Sequence, residues 1–350
     1  MKRSFVLFNI LSVLVTLQAG EAWADTDPVV QSENPSAVAE SPLLKTDGEI
    51  NSRIGGAFAA ETEAEGSKKG QTDTPEIDRA YGAYQRGMYL TAFQLALPRA
   101  EAGDAAAQTL IAELYDLGRG IAKDTKKAAE WYAVAANSGN REAKFAMSMK
   151  LLQGQDVKQD VERALIMMEE AAEEGHPVAM FNFANHIIDQ RPTTAGYRRA
   201  LPYLEKAAEY RLADAYYLLA QIYKEGLAKG YGEPLVARKW LIKAAQSGID
   251  TAQVDLALSY SNGFDGPKDF EKAYKWFLVA ARNGNVIAQN RLAHMLFKGI
   301  GTKQSPEEAA VWHILASRAG RADPSLDQLM LKLDEKSRQK AISRANRLSF

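Results

Sequence analysis

The sequence predicts an all-α protein built as an α-solenoid of helix-turn-helix repeats. Three observations carry this. An alanine pair returns every 36 residues, as Ala135-Ala136, Ala171-Ala172 and Ala207-Ala208, then as Ala244-Ala245 and Ala280-Ala281 after a one-residue slip. A glycine follows most of these pairs: Gly139, Gly175, Gly248, Gly284 and Gly320. Between the pairs, apolar residues recur at helical spacing in two separate runs per period. A fixed period of this size marks a stack of like supersecondary units. Such a stack buries surface only between neighbours and leaves long faces open.

The elements follow in order. A shortened unit comes first, with Tyr84 and Gly87 in its first helix, Ala92 in its second and Gly103 at its end. The next unit, Ala107 to Gly139, shows the plan most clearly. Ala107, Ile111, Ala112 and Tyr115 make one apolar helix face. Gly118-Arg119-Gly120 ends that helix with a left-handed turn. Asp124 precedes the second helix as a cap. Ala128, Trp131, Tyr132, Ala135 and Ala136 then form the second apolar face. The plan repeats from Ala143, Ala179, Ala215, Ala252 and Ala288, each followed by a second helix from Ala164, Ala200, Ala237, Ala273 and Ala309. On this reading Trp131, Trp240 and Trp276 are core residues, largely buried between helices. Leu326 to Leu348 departs from the plan and is expected to form one or two closing helices over the last open face.

The pattern A-x-x-x-L-[GA]-x-x-Y-x-x-G-x-G, then D-x-x-x-A-x-x-W-[YF]-x-x-A-A-x-x-G, resembles the Sel1-like repeat family, a cousin of the tetratricopeptide repeat. The best copies are residues 107–139, 252–284 and 288–320, and the match extends over about 76–320. The resemblance implies a right-handed α-superhelix and a scaffold or adaptor role, often in the bacterial envelope or in secretion-linked signalling. It implies no reaction. The chain departs from the pattern in three places. Arg211 replaces a closing glycine, Asp156 replaces a second loop glycine, and 188–199 lacks the glycine loop, so irregular loops are expected there.

The N-terminal part is organised differently. Lys2 and Arg3 precede an apolar run from Phe5 to Leu17, and Ala22-Trp23-Ala24 gives a small-x-small site. This is the pattern of a cleaved secretory signal, residues 1–24. Its apolar run is well short of the roughly 20 residues that span a bilayer. Residues 25–74 carry ten acidic and four basic side chains with Phe58 as the one aromatic, and are expected to be a disordered acidic linker. The solenoid is assigned to 75–324, about seven units with the first one shortened, and capping helices to 325–350. There is no cysteine. That excludes disulfides, thiolate metal sites and a lipidated cysteine, and favours a bacterial envelope compartment. The expected location is the periplasm after signal cleavage, with an extracellular location open. A net charge of −1 offers no case for nucleic acid.

No catalytic constellation emerges. His176, His186, His294 and His313 do not stand at ligand spacing, so no metal or cofactor is expected. Glu169-Glu170 and Glu173-Glu174 suit a charged helix face better than an acid-base pair. Neither Gly118-Arg119-Gly120 nor Gly299-Ile300-Gly301 follows a strand, so neither is a phosphate loop. One row does stand out. Two and six residues after the opening alanine come Phe145 and Met149, Phe181 and Asn185, Tyr217 and Gln221, Val254 and Leu258, then Asn290 and His294. These positions are expected on the concave inner face, where apolar side chains with interspersed amides suit a peptide or protein partner. Mutual packing of the row is the competing reading. The function expected is therefore an exported, non-enzymatic adaptor that binds an envelope protein, in envelope maintenance or regulatory signalling. The alternatives are a polysaccharide- or peptidoglycan-associated envelope protein and a hydrolase on the repeat scaffold. The partner and the oligomeric state are not legible.

Overall fold

The structure is a computed structural model that describes residues 78–348 apart from Gln155. The signal and linker readings, 1–24 and 25–74, lie outside the described residues. The chain divides after Thr74, and the unit from Pro75 onward carries everything below. All regular structure among the described residues is helical.

Sixteen helices follow one another as pairs among the described residues. The short α1 (Arg79–Gln85) joins α2 (Tyr89–Glu101). Then come α3 (Ala105–Leu117) with α4 (Thr125–Asn137), and α5 (Arg141–Gln153) with α6 (Val161–Glu173). The central pairs are α7 (Pro177–Gln190) with α8 (Thr194–Glu209), and α9 (Ala213–Glu225) with α10 (Pro234–Gln246). Last are α11 (Asp250–Asn262) with α12 (Phe270–Arg282), and α13 (Val286–Lys298) with α14 (Pro306–Arg318). Two further helices, α15 (Pro324–Leu331) and α16 (Glu335–Arg347), close the array. Each helix packs chiefly on its neighbours in the chain, except that α14, besides packing on α13, meets α16 more extensively than α15.

Alanine sets this geometry. Ala143, Ala179, Ala215, Ala252 and Ala288 are all fully buried, and so are Ala135, Ala171, Ala207, Ala244 and Ala280. A methyl group at these points lets two helices approach closely, while larger residues fill the space beside them. Leu114, Leu204, Leu219, Ile222, Leu256, Phe277 and Leu292 do so here. The core is accordingly a string of clusters in chain order, each shared between adjacent units.

The helix starts follow from their caps. Asp124 accepts from the Lys127 N–H at 3.0 Å, and Asp160 and Asp269 do the same for α6 and α12. Loop glycines serve close approach as well as turning. Gly301 has φ 68°, and any Cβ there would overlap the Phe270 carbonyl at the start of the preceding second helix.

The three departures resolve differently. Asp156 and Arg211 take φ 65° and 61°, the left-handed region that glycine occupies in the other units. The turns keep their shape despite the substitution, contrary to the irregularity expected of them. The glycine-free loop is replaced by longer helices, with α7 ending at Gln190 and α8 opening on the Thr193 cap. The one-residue slip has its cause in the loop 226–233 between α9 and α10, which is one residue longer than 118–124.

One expectation needs correction. Trp131, Trp240 and Trp276 are half-buried, whereas Trp312 is 3% exposed. These tryptophans sit one residue before the buried Tyr132, Leu241 and Phe277, about 100° away around the helix, at the rim of the core. Trp312 shares that phase but is covered because α16 lies on α14.

Candidate partner-binding face

The first helices α5, α7, α9, α11 and α13 carry the ten residues of the row singled out in the sequence. Phe145, Met149, Phe181, Asn185, Tyr217, Gln221, Leu258 and His294 are half-buried; Val254 and Asn290 are buried. The row is thus a face whose floor is continuous with the core. Phe145, Met149, Phe181 and Tyr217 lean against the central cluster, and Leu258 against the next one.

Polar members of the row tie one unit to the next. The Tyr217 hydroxyl and the Gln221 amide of α9 donate to Asp255 of α11, at 2.9 and 3.3 Å. The Asn290 amide of α13 donates to Asp323, and His294 Nε2 lies 2.8 Å from the same oxygen. Phe145 meets the His176 ring at 4.4 Å between centroids. Apolar packing dominates the α5–α9 end of the row, and hydrogen bonding the α9–α13 end.

Electrostatics sharpen that contrast. Burial pushes the Asp255 carboxyl up, against the lowering by Tyr217, Lys224 and Gln221. Burial also pushes the Tyr217 hydroxyl up, helped by the adjacent Asp255 charge. At Asp323 burial acts upward too, but hydrogen bonds from Asn290, Ser325 and His294 outweigh it and hold the carboxyl well below its usual range. Asp255 and Asp323 escaped the sequence reading. Asp255 sits three residues after an opening alanine, one past the row, and reading that phase would have found it. Asp323 lies beyond the last repeat and has no periodic signal.

The charge clusters do not assemble chemistry. Among the described residues, no group of three or more His, Asp or Glu side chains could hold a metal ion. Glu169, Glu170, Glu173 and Glu174 lie along α6 and its end, where Glu170 and Glu174 meet Lys144 at 3.0 and 2.5 Å. His313 is buried against Asp327 at 2.7 Å, away from the row. Among the described residues no helix is long and apolar enough to cross a membrane.

Comparison with protein families finds the Sel1 repeat at residues 105–140, 141–176, 213–249, 251–285 and 286–320. The chain belongs to the Sel1 repeat family. The matches leave out residues 177–212, the unit with the glycine-free loop and Arg211. Among solved structures, a Sel1 repeat protein from Oxalobacter formigenes is 29% identical, with a TM-score of 0.58. The match covers 69% of this chain and 98% of that one. A protective antigen present in uropathogenic Escherichia coli strains, displaying an SLR fold, is 22% identical with a TM-score of 0.47. That match covers 74% of this chain and 64% of the antigen. No curated protein matches the chain. The Sel1 fold is a non-catalytic scaffold, and it generally mediates protein-protein interaction.

Proposed function

We propose that this Sel1 protein is an exported, non-enzymatic adaptor of the bacterial envelope that binds a protein or peptide along its first-helix face. One observation carries the reading. Phe145, Met149, Phe181, Tyr217 and Leu258 recur at one phase, and each keeps part of its apolar surface in water. The second helices carry charge outward, as at Lys126, Lys127 and Glu130, or Glu271, Lys272 and Lys275, with apolar residues such as Val134, Ile166 and Val279 exposed singly among them. An apolar strip beside charged surroundings favours docking of a partner that covers it. Export rests on the sequence of residues 1–24 alone.

A photo-crosslinking amino acid tests the face directly. Placed at Phe181, it should trap a discrete partner in envelope extracts, while the same group at Ile166, exposed on α6, should not. Equal trapping at both, or none at Phe181, would overturn the assignment. N-terminal sequencing of the exported protein should begin at Asp25, and a sequence beginning at Met1 would overturn the export step.

A further inference from the structure

The position three residues after each opening alanine runs Leu110, Ala146, Asn182, Leu218, Asp255, Arg291. Four members are uncharged, and the last two carry opposite charges at equivalent places on α11 and α13. Both side chains are half-buried. The hydrogen-bond partners of Asp255 are the neutral groups of Tyr217 and Gln221. Lys224 attracts it, but the ammonium of that lysine lies 3.7 Å from Glu225. Arg291 has a buried Nε with no hydrogen-bond acceptor. Arg321 repels it, and Asp323, which attracts it, is already held by Asn290, His294 and Ser325.

Charges withdrawn from water without an opposite partner are costly. The packing does not require them, because Leu218 and Ala146 fill the same position with apolar groups. An incoming pair of complementary charges would offset the cost at both places. We propose that Asp255 and Arg291 are a pair of charge anchors for an extended peptide, receiving a basic side chain on Asp255 and an acidic one on Arg291. This rests on the first-helix face being the binding surface. The units meet closely here, since Asn285 at the start of α13 donates to Asp250 of α11 at 2.6 Å. Packed helices lie about 8–10 Å apart, and an extended chain rises about 3.3 Å per residue. In the polyproline II form, which rises about 3.1 Å per residue and returns to the same face every third residue, the two peptide charges should therefore stand about three residues apart. Apolar residues before the basic one would reach Tyr217 and Phe181.

A randomised short-peptide library, panned on the full chain, supplies the probe. Peptides selected by the wild type should share a basic residue followed about three positions later by an acidic one. Asp255→Asn keeps the acceptor for Tyr217 and Gln221 and removes only the charge. It should weaken those peptides roughly tenfold to a hundredfold, the usual scale of a charge-assisted hydrogen bond. Arg291→Gln should do the same, and it carries the test if Asp255→Asn loses helical content. The double variant Asp255→Arg with Arg291→Asp should select the reverse charge order. Peptides that need Phe181 and Tyr217 but show no charge preference would overturn the anchors and leave the face standing. Selection of no peptide, or only of peptides indifferent to Phe181→Ser, would overturn both.

Discussion

Adjacent residues on the second helices carry unequal weight. Four residues after the helix alanine, Tyr132, Met168, Leu204, Leu241 and Phe277 are buried. One residue earlier, Trp131, Tyr203, Trp240 and Trp276 keep an edge in solvent. That edge is not idle: the Lys243 ammonium sits 4.3 Å over the Trp240 ring, and Tyr216 stacks on it at 5.9 Å. Phe277→Ala should therefore cost about 3–5 kcal/mol, the range for an aromatic lost from a closed core. Trp276→Ala should cost roughly half of that, because its cavity opens to water. Urea denaturation of the two variants gives the order, and a larger loss at Trp276 would refute this account of the core. Composition points the other way, since tryptophan is the largest apolar residue in the repeat. Size suggests burial, but the angle around the helix decides it.

At the scale of the element, the solenoid depends on how each helix is started and stopped. Asp124 and the loop glycines are recognisable because their side-chain chemistry is that of caps and turns. His176 is not, although it caps α7 by accepting from the Ala179 N–H through Nδ1 at 3.1 Å. Asn140 and Asn285 fill the same place before α5 and α13. Burial lowers the His176 pKa below its ordinary 6.5, with Glu142 pulling it up and Arg141 pushing it down. The sign follows. A folded-state pKa below the unfolded one gives a contribution that is complete above the unfolded value and lost as pH falls through it toward the folded value. Protonated Nδ1 also cannot accept, so the cap is lost along with the neutral ring. The melting temperature should thus fall as pH drops below about 6.5. His176→Asn keeps an acceptor, gives up the ring contact with Phe145, and should flatten that fall while lowering the whole curve. His186, whose pKa burial also lowers, should leave a smaller residual slope. An unchanged slope in His176→Asn would show that the cap does not titrate.

At the scale of the molecule, what repeats is legible and what joins or ends the array is not. The alanine period is visible because every unit solves one packing problem with the same residues. Asp255, Arg291 and Asp323 each occur once, so no period announces them. The last open face was expected to need a cover, and the structure specifies how it is made. α16 lies on α14, with Ala341 and Ala345 fully buried beside Val311, Trp312 and Leu315. Asp323 separately ties the start of α15 to Asn290 and His294 of α13. These two contacts can be separated. A chain ending at Asp323 retains the tie and loses the cover, exposing Val311, Trp312 and Leu315 along one helix. In a solenoid the damage should stay local, so α3 to α12 should keep their helical content. The uncovered strip should bind a hydrophobic dye and draw chains together on size-exclusion chromatography. Asp323→Asn in the full chain should do neither, because the cover is intact. If the truncated chain elutes at the wild-type volume and melts like it, α15 and α16 are not the cap, and α14 must be able to close the array alone.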